Sequence, residues 1–131
     1  MRLLLDSQAL LWWMEDSPRL GRHARDSIAD PASIVWVSAA VAWEIVIKTA
    51  LGRLVIKEPP QICIPREMEH QGFQALPVSN THAFAVGALP NHHRDPFDRM
   101  LIAQAKTEGL TVVTADAMFA RYGVMVLDAA A

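Results

Sequence analysis

Short apolar runs of strand length alternate along this chain with longer segments whose apolar residues recur every three to four positions. Arg2–Leu5, Ile34–Val37, Phe73–Leu76, Leu110–Thr114 and Val124–Leu127 read as strands, the second of them rich in β-branched side chains. Helices are predicted over Ser7–Met14, from the Ser17-Pro18 pair through Ile28, over Ala39–Leu51, over Gln61–Gln71, from Ser79 through Leu89 and from Pro96 to Gly109. Ser38, Ser79 and Asp95 are N-cap residue types, Pro96 sits at a first helical position that needs no backbone donor, and Gly52 and Gly109 are left-handed stops. Pro65 breaks or opens its helix, and Gly52–Ile56 reads as a short extended excursion. A helical turn is expected at Met118 and Phe119, and the Ala129-Ala130-Ala131 end is expected to fray.

This alternation predicts an α/β domain with a mainly parallel central sheet flanked by helices. The 131 residues match one domain, 1–131, and a hydrophobic content of 52% is ample for its core. A net charge of −2 carries no global basic signal, so a nucleic-acid function needs a local patch. The single cysteine, Cys63, excludes an intramolecular disulfide and a Cys-rich zinc site, and reads as small core filler. No apolar run of about 18 residues and no signal-peptide pattern is present, which leads to the expectation of a cytoplasmic protein without a membrane partner.

Four carboxylates carry the chemistry. Asp6 and Asp116 each follow a strand, and parallel strands present their C-terminal ends to one ligand-binding edge. Glu44 lies among Ala40, Val41, Trp43, Ile45 and Ile47, where a carboxylate needs a partner or a shifted pKa; Lys48, four residues on, is a simple partner. Asp98 falls near the third position of its helix, and Leu101, Ile102 and Ala105 follow on the same face, so it leans toward the apolar side. Periodicity does not bring Asp98 to the edge that holds Asp6 and Asp116; the packing of its helix has to do so. Asp95 reads first as a helix cap. Four carboxylates in one pocket repel one another unless protonated or bound to a divalent ion. An all-oxygen set suits Mg²⁺ or Mn²⁺ rather than zinc, and such ions serve phosphodiester hydrolysis.

The segments LLLDSQALLWW at Leu3–Trp13, WEIVIK at Trp43–Lys48, DPFDRMLIAQA at Asp95–Ala105 and VVTADAMF at Val112–Phe119 together resemble the PIN-domain nucleases, in particular the VapC-like ribonuclease toxins of bacterial type II toxin–antitoxin pairs. The resemblance spans nearly the whole chain, with the segments in the family's order. It implies a metal-dependent endoribonuclease in which Asp6, Glu44, Asp98 and Asp116 are the catalytic, metal-binding acids for one or two Mg²⁺ or Mn²⁺ ions. It also implies an RNA substrate, a cognate antitoxin that blocks the site, and a homodimer or toxin–antitoxin hetero-oligomer. By the same resemblance Ser7 and Thr114 support the first and last acids through their hydroxyls, and Asp95 matches a position that is acidic in this subgroup. Ser7 stands where threonine is common and keeps the hydroxyl.

Lys48, Arg94 and Arg99 are the nearest cations for gripping RNA phosphates, and each reads equally well as a surface or paired charge. His92 and His93 either contact RNA or solvate a loop, and His82 is expected at or near the surface. Trp12, Trp13 and Trp43 divide evenly between core packing and a dimer or antitoxin surface. A phosphoryl-accepting receiver domain would need a lysine on a late strand, where this chain has Thr114-Ala115-Asp116. The standing alternative is a catalytically inactive PIN-fold module that binds a partner or RNA without cutting.

Overall fold

The computed structural model describes residues 1–131. Its elements run β1 (Arg2–Leu5), α1 (Ser7–Met14), α2 (Arg22–Ala29), β2 (Ile34–Ser38), α3 (Ala39–Ala50), α4 (Pro60–Gln71), β3 (Gln74–Leu76), α5 (Asn80–Val86), α6 (Pro96–Glu108), β4 (Thr111–Thr114), a 3₁₀ segment (Ala117–Tyr122) and β5 (Val126–Asp128). All five strands pair in parallel, in the order β3-β2-β1-β4-β5. Helices cover this sheet, which explains why Leu3, Leu4 and Leu5 of β1 and all of β4 are buried in unbroken runs rather than in alternation. No helix is long and apolar enough to cross a membrane.

The strand order positions the site. The chain moves outward from β1 through β2 to β3, then returns to the other side of β1 for β4. The reversal falls between β1 and β4, and a crevice opens beyond the C-terminal ends of strands at such a switch. Leu5 is in register with Val113, and the Asp6 N–H donates to the Val113 carbonyl at 3.1 Å. The residues that follow these two strands therefore leave the sheet side by side.

Several sequence expectations shift. The helix predicted from Ser17-Pro18 begins only at Arg22, because Ser17–Leu20 turns to bury Leu20 and Arg25 reaches back to the Ser17 carbonyl at 2.8 Å. Gly52–Ile56 forms no strand; Arg53 and Leu54 fold back to donate to the Lys48 carbonyl at the end of α3. The helix from Ser79 stops at Val86, where Arg99 takes the carbonyls of Val86, Leu89 and Pro90. The last strand runs Val126–Asp128. The expectation of a frayed end is overturned: Ala129 is fully buried, Gly21 N–H donates to its carbonyl at 2.8 Å, and Ala24 N–H donates to Ala131 at 3.2 Å.

His82 is corrected as well. It is buried, its Nδ1 accepts from Ser79 N–H at 3.1 Å in a reciprocal capping box, and its Nε2 lies 2.9 Å from Glu108. The tryptophans divide. Trp12 and Trp13 pack against the core, with the Trp13 indole donating to Glu67, whereas Trp43 is 63% exposed and meets Phe97 edge-on.

Candidate active site

Each acidic side chain reaches the switch-point edge by a different local route. Asp6 ends β1 and caps α1, its Oδ1 accepting from Ala9 N–H at 2.8 Å. Asp116 leaves β4 and caps the 3₁₀ segment through Met118 N–H at 2.9 Å. Glu44 lies on the buried stripe Ala40, Val41, Glu44, Ile45 of α3, whose start is set by the Ser38 cap right after β2. Asp98 opens α6 behind its Asp95 cap, which accepts from both Phe97 and Asp98 N–H groups. Packing of α3 against α6 and α1 supplies the convergence that periodicity could not.

The electrostatics of the four overlap. Burial raises the Asp6 carboxyl above its ordinary range; the Thr114 hydroxyl and Ala9 N–H oppose this, while the charges of Glu44 and Asp116 add to it. Asp98 is pushed up to about 7, first by desolvation, then by the charges of Asp95 and Glu44, with Asp6 a smaller contributor. Desolvation alone would raise Asp116, but hydrogen bonds from His93 and Met118 outweigh it and hold this carboxyl below its usual range. Glu44 has a side chain only 4% exposed; its Oε2 accepts from Lys48 Nζ at 2.7 Å while its Oε1 is buried with no partner. A buried carboxylate oxygen without a donor, beside three further carboxylates, is a place that a cation would satisfy. One ligand atom each from His93, Asp98 and Asp116 lies within 4.8 Å of the others. The carboxylate oxygens gathered here fit a hard divalent ion such as Mg²⁺ or Mn²⁺, with the His93 imidazole hydrogen-bonded beside them.

The supporting residues separate. Thr114 is buried between the two strand-end acids and its Oγ1 accepts from Asp116 N–H at 3.0 Å. Ser7 is half-buried at the first position of α1, and its hydroxyl makes no hydrogen bond. Asp95 serves as the α6 cap. Lys48 is engaged by Glu44, Arg99 is consumed by backbone carbonyls, and Arg94 is exposed on the loop before α6. Sequence reasoning left His93 open between two roles and missed Gln104 and Tyr122. His93 Nε2 sits 2.8 Å from Asp116 Oδ2, and the Tyr122 hydroxyl accepts from the N–H groups of His92 and His93. The only local sign was a polar residue, Gln104, in the otherwise apolar stripe of α6.

The PIN domain family matches residues 3–125, and the chain belongs to that family. Among solved structures it is similar to a chain of Rickettsia felis VapBC2 bound to a DNA fragment from their promoter, with TM-score 0.72, 16% identity and coverage of 97% of this chain and 98% of that one. It is likewise similar to DNA-bound VapBC from Salmonella typhimurium, with TM-score 0.68, 17% identity and 98% of both chains covered. VapBC-1 from nontypeable Haemophilus influenzae also matches, at TM-score 0.68 and 17% identity over 98% of both chains. None of the curated proteins matches the chain significantly. At these identities the likenesses show a shared fold, that of the PIN domain.

Proposed function

We propose that this protein is a divalent-metal-dependent endoribonuclease, the toxin of a toxin–antitoxin pair, with Asp6, Glu44, Asp98 and Asp116 as its metal-binding catalytic acids. The observation that carries this reading is the crowding of negative charge at the sheet's switch point, expressed in Asp98 pushed up to about 7 and in the partnerless buried Oε1 of Glu44. A divalent ion held by these residues supplies Lewis acidity toward a phosphoryl oxygen and makes water nucleophilic near neutral pH. The chain's own contribution is rigidity and charge. Ala9 N–H fixes Asp6, Met118 N–H and His93 fix Asp116, and Lys48 holds one oxygen of Glu44 while the other stays buried and unpaired. Asp98 takes up or releases a carboxyl proton close to neutral pH as the local charge changes. Exposed Arg94, at the rim, is the cation we assign to a phosphate of the RNA.

The similarity of the fold to a chain of a toxin–antitoxin complex from Klebsiella pneumoniae supports an antitoxin partner. A shallow apolar recess of about 440 Å³ beside the start of α6, lined by Ala40, Trp43, Val78, Phe97 and Met100, supports a protein contact there, and we assign it to the antitoxin or a second copy of the chain. The cytoplasm, where RNA is accessible, is the compartment this reading requires.

Cleavage of a mixed structured-RNA pool by antitoxin-free protein tests the reading, with Mn²⁺ or Mg²⁺, with EDTA, and with Asp6→Asn and Asp98→Asn. Metal-dependent cutting, lost in both folded variants, is expected. Cutting that survives EDTA or both substitutions would overturn the assignment, and no cutting by folded, metal-loaded protein would favour the inactive binding module.

A further inference from the structure

The imidazole of His93 is held in a cage. Its ring stacks on Tyr122 at a centroid distance of 5.4 Å and meets Phe119 edge-on at 5.3 Å, and the Tyr122 hydroxyl accepts both its backbone N–H and that of His92. Only 10% of the side chain reaches solvent. One ring nitrogen, Nε2, lies 2.8 Å from Asp116 Oδ2; the other, Nδ1, is buried with no partner. That difference assigns the tautomer. A proton on Nδ1 would be a buried donor without an acceptor, whereas a proton on Nε2 is satisfied by the carboxylate, so His93 donates to Asp116 through Nε2.

The consequence falls on Asp116. Its Oδ1 accepts from Met118 N–H at 2.9 Å and its Oδ2 from His93, so both oxygens are held and the carboxylate cannot swing. Each oxygen keeps a second lone pair. Asp98 offers an oxygen within 4.8 Å of the same group, so the restraint leaves two carboxylates facing one another.

We propose that His93 is the positioning residue of the metal centre: its Nε2–H, locked by Tyr122 and Phe119, holds Asp116 toward Asp98 and so sets divalent-metal affinity without itself ligating the ion. This rests on the metal-dependent reading above and adds a residue from outside the four acidic motifs. Ligation by Nε2 would first require moving its proton to Nδ1, where nothing accepts it. Hydrogen-bond partners of metal ligands typically contribute about ten- to a hundred-fold to metal affinity.

Calorimetric titration of Mn²⁺ into the full chain tests this, using wild type, His93→Phe, His93→Gln, Tyr122→Phe and Asp98→Asn, each checked by thermal unfolding without metal. Phenylalanine keeps the aromatic packing and removes the donor, so affinity should fall about ten- to a hundred-fold with little change in the unfolding midpoint. Glutamine, whose amide can donate to the same carboxylate, should recover part of that loss. Tyr122→Phe, which releases the loop but keeps the ring, should lie between wild type and His93→Phe. Electron spin-echo spectra of bound Mn²⁺ should lack coupling to an imidazole nitrogen. Unchanged affinity in His93→Phe, no recovery with glutamine, or nitrogen coupling in wild type would overturn the positioning role. Binding lost in Asp98→Asn but kept in His93→Phe would overturn this inference alone, whereas no Mn²⁺ binding by wild type would overturn the metal reading with it.

Discussion

Ser38 and Gln104, 66 positions apart in the chain, share a 2.6 Å hydrogen bond in the interior, the serine hydroxyl donating to Oε1 of the glutamine. The same Ser38 oxygen accepts from Ala40 N–H at the start of α3, and Gln104 Nε2 donates to the Pro77 carbonyl at 3.3 Å. The helix that carries Glu44 and the helix that carries Asp98 are therefore tied at one buried point.

Breaking that tie should destabilise the fold by more than an ordinary polar substitution. Gln104→Leu strands the buried Ser38 hydroxyl, an expected loss of about 1–3 kcal/mol in urea unfolding. Ser38→Ala removes a cap and strands Oε1, an expected loss of about 1–3 kcal/mol. The double variant should lose less than the sum, because the second change removes the partner that the first left unpaired. Strict additivity would mean that the two side chains are not coupled.

Asp98 should make metal-free stability depend on pH. Its folded carboxyl titrates at about 7 against an ordinary value of 3.8, so between these limits the folded state holds more protons than the unfolded chain. Its contribution to stability therefore falls as pH rises from about 4 to about 7 and levels beyond. Urea unfolding in EDTA should show Asp98→Asn gaining on wild type through this window. Mn²⁺ affinity of wild type should rise over the same range, because the ion displaces the proton. A flat difference curve would show that Asp98 is ionised throughout.

Gly21 approaches the end of the chain so closely that a Cβ there would overlap the carbonyl of Ala131. Its backbone conformation suits any residue, so only space is at issue. Gly21→Ala should force residues 129–131 off the start of α2, lowering stability by about 1–3 kcal/mol and making this segment susceptible to limited proteolysis. Unaltered stability and digestion would mean that these residues are held loosely.

The helices over Ser7–Met14 and Pro96–Glu108 begin and end within a residue of where the pattern puts them, because an Asp cap and a closing residue act locally. The Ser17-Pro18 pair carries the same kind of signal and fails. There the burial of Leu20 and the docking of the last residues onto Gly21 override a local preference worth about 1 kcal/mol. Among the candidate site residues, Asp6 and Asp116 were legible because they follow strands. Arg99 and Lys48 could be named only as cations, since their partners are backbone carbonyls and Glu44.

The sequence by itself determined the alternation of strands and helices and the parallel α/β class, because periodicity, caps and strand ends are readable over a few residues; the four acids it offered as candidates. Tertiary structure alone decided that β1 and β4 lie side by side, that α6 turns Asp98 toward them, and that His93, Tyr122 and Gln104 hold the site's geometry. The side-chain contacts among them join residues 23 to 66 positions apart and the β1–β4 pairing joins Leu5 to Val113, and all depend on how buried surfaces pack rather than on any local preference of the chain.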